Sequence, residues 1–147
     1  MWRLAVVGYG NPLRRDDGAG IQVAESVARR WGERITVLVG QQPVPEWAAV
    51  LSEVDVAFIV DAARDGTGRP RLRRLGPAGA DPALGGHGFG APHLLGLTQA
   101  LYGRAPSTYL LSIPTADLGF GEGLSSATAQ AVERAVRLLD RRLATLA

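Results

Sequence analysis

The chain has 147 residues, 46% of them hydrophobic and 20% charged, with no cysteine and a formal net charge of only +2. This is an ordinary globular composition at one domain's length, enough to bury roughly 68–70% of the unfolded surface. The missing cysteine excludes disulfides, thiolate metal sites and Cys nucleophiles, and the small net charge, carried on the basic side by arginine alone, argues against a nucleic-acid binder.

From Leu4 to Val7 the chain reads as a short buried strand, followed by Gly and Pro punctuation as far as Pro12. This opening is too short and too soon broken for a signal peptide, and no apolar run is long enough to cross a bilayer. A cytoplasmic protein without membrane contact is therefore expected. From Gly18 onwards Ile21, Ala24, Val27, Ala28 and Trp31 recur at helical spacing. Residues 35–39, "ITVLV", predict a second strand, and Pro45 to Ser52 a helix with Pro in its first turn. Residues 54–60, "VDVAFIV", predict a third strand ending at Asp61, and residues 69–75, "RPRLRRL", an edge or hairpin strand. Its arginines, Arg69 to Arg74, suit a solvated edge that blocks strand pairing better than a peptide or anion contact.

Residues 76–92 are rich in glycine and proline, and the stretch 76–90 is expected to be mobile without substrate. A helix is expected from Ala91 to about Tyr102, a fifth strand over 108–113, a Gly-rich loop over 114–124, and a last helix from about Ser125. In that helix Val132, Val136, Leu139, Leu143 and Leu146 make one apolar stripe. Strands alternating with helices imply a three-layer α/β fold: a mainly parallel, twisted sheet of about five strands with helices on both faces, in a single domain over 1–147.

In such a sheet ligands bind beyond the carboxyl ends of the strands. Asp17 follows the first strand, Asp61 ends the third, and His93 opens the helix after the Gly-rich stretch. Two carboxylates and an imidazole suit a divalent first-row metal, and equally acid–base work. Taken singly, Asp17 reads as a helix N-cap, Asp61 as a solvated strand end, and His93 as a capping or packing residue. Their convergence on one edge is what suggests a site. His87, six residues earlier, could replace or assist His93. Gly8-Tyr9-Gly10-Asn11 only begins a dinucleotide fingerprint, because the third glycine is replaced by Leu13 and no acidic residue follows the second strand. Phosphate-loop, nucleophile-elbow and zincin motifs are missing.

Taken together, "GYGNPLRRDDGAG", "AFIVDAA", "APHLLGL" and "SIPTADLGFGEGLSSATAQAVERAV" resemble the hydrogenase maturation endopeptidases over nearly the whole chain. The first stretch is similar to that family's G-x-G-N-x-x-x-x-D-[DE]-G-x-G opening. The resemblance implies an aspartic-type endopeptidase that removes the C-terminal extension of the nickel-loaded [NiFe]-hydrogenase large-subunit precursor. It implies nickel recognition by Asp17, Asp61 and His93, with Asp17 and Asp61 as the catalytic pair. The nickel would arrive with the precursor, so no permanent cofactor is expected. Asp16 would cap or stabilise the loop beside them. Many members carry Asp-Gly-Gly-Thr after the second strand, whereas this chain reads "VGQQPVPE". That resembles members serving soluble, cofactor-linked hydrogenases. The alternative is a non-catalytic nickel-binding chaperone of the same fold.

Overall fold

The computed structural model describes residues 2–64, 68–76 and 89–147. His87 and most of the glycine-rich stretch, with the mobility expected of it, lie outside the described residues. The elements in chain order are β1 (Leu4–Tyr9), a 3-10 turn (Arg15–Gly18), α1 (Ala19–Trp31), β2 (Thr36–Gly40), α2 (Trp47–Leu51), β3 (Val56–Ala63), β4 (Arg71–Leu75), α3 (Ala91–Tyr102), β5 (Ser107–Pro114) and α4 (Ser126–Leu146). They form a five-stranded sheet in the order β2-β1-β3-β5-β4. All pairings are parallel except β4 on β5, so the arginine-rich strand is the antiparallel edge strand.

Alternation along the central strands sorts the core into two layers. Leu4 and Val6 of β1, with Val56, Phe58 and Val60 of β3, face α1 and α4. Ala5 and Val7 of β1, with Ala57 and Ile59 of β3, face α2 and α3. The expected three-layer α/β architecture is the one observed. Most boundaries shift by a residue or two, β1 for one running on to Tyr9, and two of the shifts change a reading. β3 runs on to Ala63, so Asp61 lies within the strand, where its backbone still pairs in register with Ser112. The second helix is only Trp47–Leu51, because Pro45 and Glu46 form the turn that enters it. In α1 the sequence stripe named Ile21, yet Val23 is the fully buried side chain and Ile21 is half-buried.

The sheet order changes direction at β1: the chain steps to β2 on one side, then returns to β3 on the other. This makes the crevice between the carboxyl ends of β1 and β3 the topological switch point. Glycines let the backbone close in there. A Cβ on Gly8 would overlap the Gly20 carbonyl, and one on Gly20 would sit 2.8 Å from the Tyr9 carbonyl oxygen. Helix α1 therefore packs with its first turn against the ends of both strands. Among the described residues no helix is long and apolar enough to cross a membrane.

Candidate active site at the switch point

The loop after β1 is shaped by its own side chains. Asn11 Oδ1 accepts the Leu13 N–H at 3.0 Å, and its carbonyl accepts the Arg14 N–H at 3.0 Å, a side-chain-supported turn. The Asn11 N–H donates to Asp17 Oδ2 at 2.7 Å. Gly10, at φ 149°, allows this closure, since a Cβ there would run into the Asp17 carbonyl. Asp17 is thus held by the Gly-x-Gly-Asn turn, and its carboxylate does not cap α1, whose N-cap is Gly18 without a side-chain bond.

Asp61 lies one register step beyond the Gly8–Val60 pair, across from Tyr9. The Tyr9 hydroxyl donates to Asp61 Oδ2 at 3.1 Å. Burial pushes the Asp61 carboxyl up to about 6; the Tyr9 hydrogen bond opposes this, and the charge of Asp17 adds to it. The same burial, with the charges of Asp61 and Asp17, pushes the Tyr9 hydroxyl far above the ordinary phenol range, so it stays a proton donor. The two aspartates therefore share one electrostatic environment.

His93 occupies the third position of α3, behind Gly90 as N-cap and Pro92 in the first turn. Its Nδ1 accepts the Gly90 N–H at 3.3 Å, and its ring lies 6.4 Å from that of Phe89. An accepting Nδ1 leaves the neutral ring's proton on Nε2. In this arrangement His93 caps the helix, and ligation through Nε2 requires that proton to move. Helix α3 covers the sheet face to which odd-numbered β1 and β3 residues point, the face of Tyr9 and Asp61. Its short connection to the start of β5 puts its N-terminus at the carboxyl edge. Among the described residues no three His, Asp or Glu side chains stand close enough to enclose a metal ion.

Asp16 is fully buried and points away from this crevice. It accepts five hydrogen bonds, from the N–H groups of Ala116, Asp117 and Ser125 and the hydroxyls of Ser125 and Thr128, at 2.6–2.9 Å. Burial alone would raise its carboxyl. The backbone donors of Ser125, Ala116 and Asp117, with the Ser125 hydroxyl, outweigh that and hold it down at about 2. Asp16 thus ties the loop after β5 and the N-cap of α4 to the loop after β1. The sequence reading missed Tyr9, which stands at the variable position between two motif glycines. Only the β1–β3 register reveals it.

No protein-family model matches the chain, and no curated protein matches its sequence. Solved structures do match. The hydrogenase maturating endopeptidase HybD from E. coli superposes with a TM-score of 0.74 at 24% identity, covering 97% of this chain and 93% of that one. The [NiFe] hydrogenase maturation protease HybD from Thermococcus kodakarensis gives 0.75 at 23%, covering 95% and 97%. The maturation protease HycI from the same organism gives 0.70 at 22%, covering 94% and 88%. Over nearly its full length, the chain has the fold of the hydrogenase maturation endopeptidases.

Proposed function

We propose that the chain is a cytoplasmic endopeptidase that removes the C-terminal extension of a nickel-loaded [NiFe]-hydrogenase large-subunit precursor. The observation that carries this reading is the pair Asp17 and Asp61 at the switch point, one held by the Asn11 N–H and the other by the Tyr9 hydroxyl. Two carboxylates kept together at an open sheet edge repel each other, and a cation relieves that repulsion. Here the cation is part of the substrate. Asp17 and Asp61 meet the nickel that the precursor carries, and His93 joins them once its Nδ1 is freed from Gly90 or its proton moves. The precursor's own ligands complete the coordination.

The bound precursor places its scissile peptide beside Asp61. In the free chain the Asp61 carboxyl is raised to about 6 and is ionised at neutral pH; in the complex its oxygen that does not meet the nickel takes a proton from water. The oxygen of that water attacks the peptide carbonyl carbon and the C–N bond breaks. The proton held by Asp61 passes to the leaving nitrogen as that bond breaks, which restores the carboxylate. Tyr9 keeps the accepting carboxylate in one orientation.

The deciding experiment incubates the purified chain with nickel-loaded precursor and follows the release of the C-terminal peptide by mass spectrometry. Release by the unaltered chain and none by Asp61→Asn is the expected result. Binding without release would assign the chaperone reading instead.

A further inference from the structure

Beside the aspartate pair lies a surface that the cleavage chemistry leaves unused. Phe120 is 88% exposed and Leu13 55% exposed. Single exposed apolar side chains are common and need no explanation. These two differ in how they are mounted. The Gly121 N–H donates to the Leu13 carbonyl at 2.8 Å, and the Arg15 N–H donates to the Gly121 carbonyl at 3.1 Å. Arg14 and Gly121 thereby form a parallel bridge outside the main sheet. Arg14 Nε donates to the Leu118 carbonyl at 3.2 Å, and Arg15 pairs with Asp117 at 3.6 Å. Arg15 takes φ 47°, a left-handed conformation costly for a residue with a side chain, and this ladder holds it there. Beneath the whole assembly sits Asp16 with its five donors.

The result is an exposed aromatic carried on a loop that is hydrogen-bonded to Leu13, Arg14 and Arg15, which stand a few residues before Asp17. Beside Leu13 and Arg15 is a cavity of about 340 Å³. Pro12, Leu13 and Arg15 form one wall, Ile21 and Glu25 of α1 another, and Glu122 closes it. Ile21, off the buried face of α1, is half-buried against this cavity. The Arg14 guanidinium lies 5.9 Å from the centre of the Phe120 ring and has no carboxylate partner among the described residues. An exposed aromatic beside an arginine, on a loop whose backbone is already hydrogen-bonded, has the character of an interface anchor, because little backbone ordering entropy is lost on binding.

We infer that Leu13, Arg14 and Phe120, with the cavity beside Leu13, form the docking surface for the protein substrate: the cavity takes an apolar side chain, and Arg14, on the Phe120 side away from the two glutamates, meets a carboxylate. The inference rests on the peptidase reading above, since continuity with the Asp17 loop identifies the occupant. A substrate segment seated here is tied through Asp16 and the Asn11 turn to the loop that aims Asp17.

The test uses a nickel-loaded large-subunit precursor and steady-state cleavage. Phe120→Ser and Leu13→Ser should each raise KM by about tenfold, the range of an interface anchor, with kcat and the thermal midpoint unchanged. Arg14→Gln should raise KM and weaken its salt dependence. Leu101→Ser, a change at a 63% exposed residue near the far end of α3, serves as the control and should alter neither constant. Unchanged KM in Phe120→Ser and Leu13→Ser, with cleavage intact, overturns the docking surface alone. A fall in kcat at unchanged KM also overturns it. No cleavage by the unaltered chain overturns the peptidase reading, and the docking inference with it.

Discussion

Asp61 is ionised against the preference of its surroundings, and that has a measurable consequence at the residue scale. Its folded-state carboxyl, raised to about 6 from the usual 3.8, favours the protonated form in the native protein. Below pH 4 the group is protonated whether folded or not, and it costs nothing. As pH rises through 4 to 6 the cost grows, to about 3 kcal/mol above that window. Asp61→Asn removes the charge and keeps an acceptor for Tyr9. It should therefore abolish cleavage while raising the thermal midpoint at pH 8 by several degrees, with little change at pH 4. Thermal melts at the two pH values check this. Tyr9→Phe acts in the opposite sense. Losing the hydroxyl removes a contact that lowers the Asp61 carboxyl, so the acid limb of kcat/KM, which reports the free chain and is expected near pH 6, should move to higher pH. A pH–rate profile showing the limb unmoved would mean that the Tyr9 bond does not set the ionisation of Asp61. The candidate carboxylates and His93 could be picked out in the sequence because their residue types announce chemistry. Tyr9 was not, because a phenol between two glycines means nothing until a strand pairing puts it opposite Asp61.

At the scale of elements, adjacent aspartates are put to opposite uses by one turn of 3-10 helix. Asp17 faces the crevice, whereas Asp16 faces inward and gathers the loop after β5. The lowered Asp16 carboxyl contributes about 2 kcal/mol of stability at neutral pH, present above about pH 4 and lost as pH falls through 2. Asp16→Asn puts an amide donor among groups that are themselves donors. It should destabilise the fold by about 3 kcal/mol or more. It should also release the N–H groups of Ala116, Asp117 and Ser125 to fast hydrogen exchange, while α1 and β1 keep their protection at low denaturant. The sequence placed this loop and the helix that follows, and it assigned Asp16 a stabilising role. It could not name the donors, because they lie about a hundred residues further along the chain. Helix starts and strand cores were legible through periodicity and glycine punctuation. Strand ends were less so, since β3 continues past Asp61 on the strength of its pairing with β5 and not of any pattern of its own.

The whole molecule explains why the aspartates meet. A parallel sheet whose order reverses at β1 opens a crevice between β1 and β3, and the glycines at positions 8, 10 and 20 let α1 and the first loop close upon it. The sheet fixes Asp61, the loop fixes Asp17, and α3 brings His93 to the same edge. The molecule thus presents two carboxylates to any partner that docks there, and their charges oppose a neutral or acidic partner and favour a cationic one. On the proposed reading, nickel-loaded precursor should bind the unaltered chain at least about tenfold more tightly than nickel-free precursor, the gain from pairing carboxylates with a cation in a partly desolvated crevice. In the double variant Asp17→Asn/Asp61→Asn both charges are gone while the shapes remain, and the ratio should fall to about one. Phe120→Ser should weaken binding of both precursor forms equally and leave the ratio intact, because the docking surface does not touch the metal. Parallel titrations of the two precursor forms, monitored by complex formation rather than cleavage, separate these effects. Efficient binding and cleavage of nickel-free precursor by the unaltered chain would show that the carboxylate pair serves another purpose, because the acidic edge would then have no cation to meet.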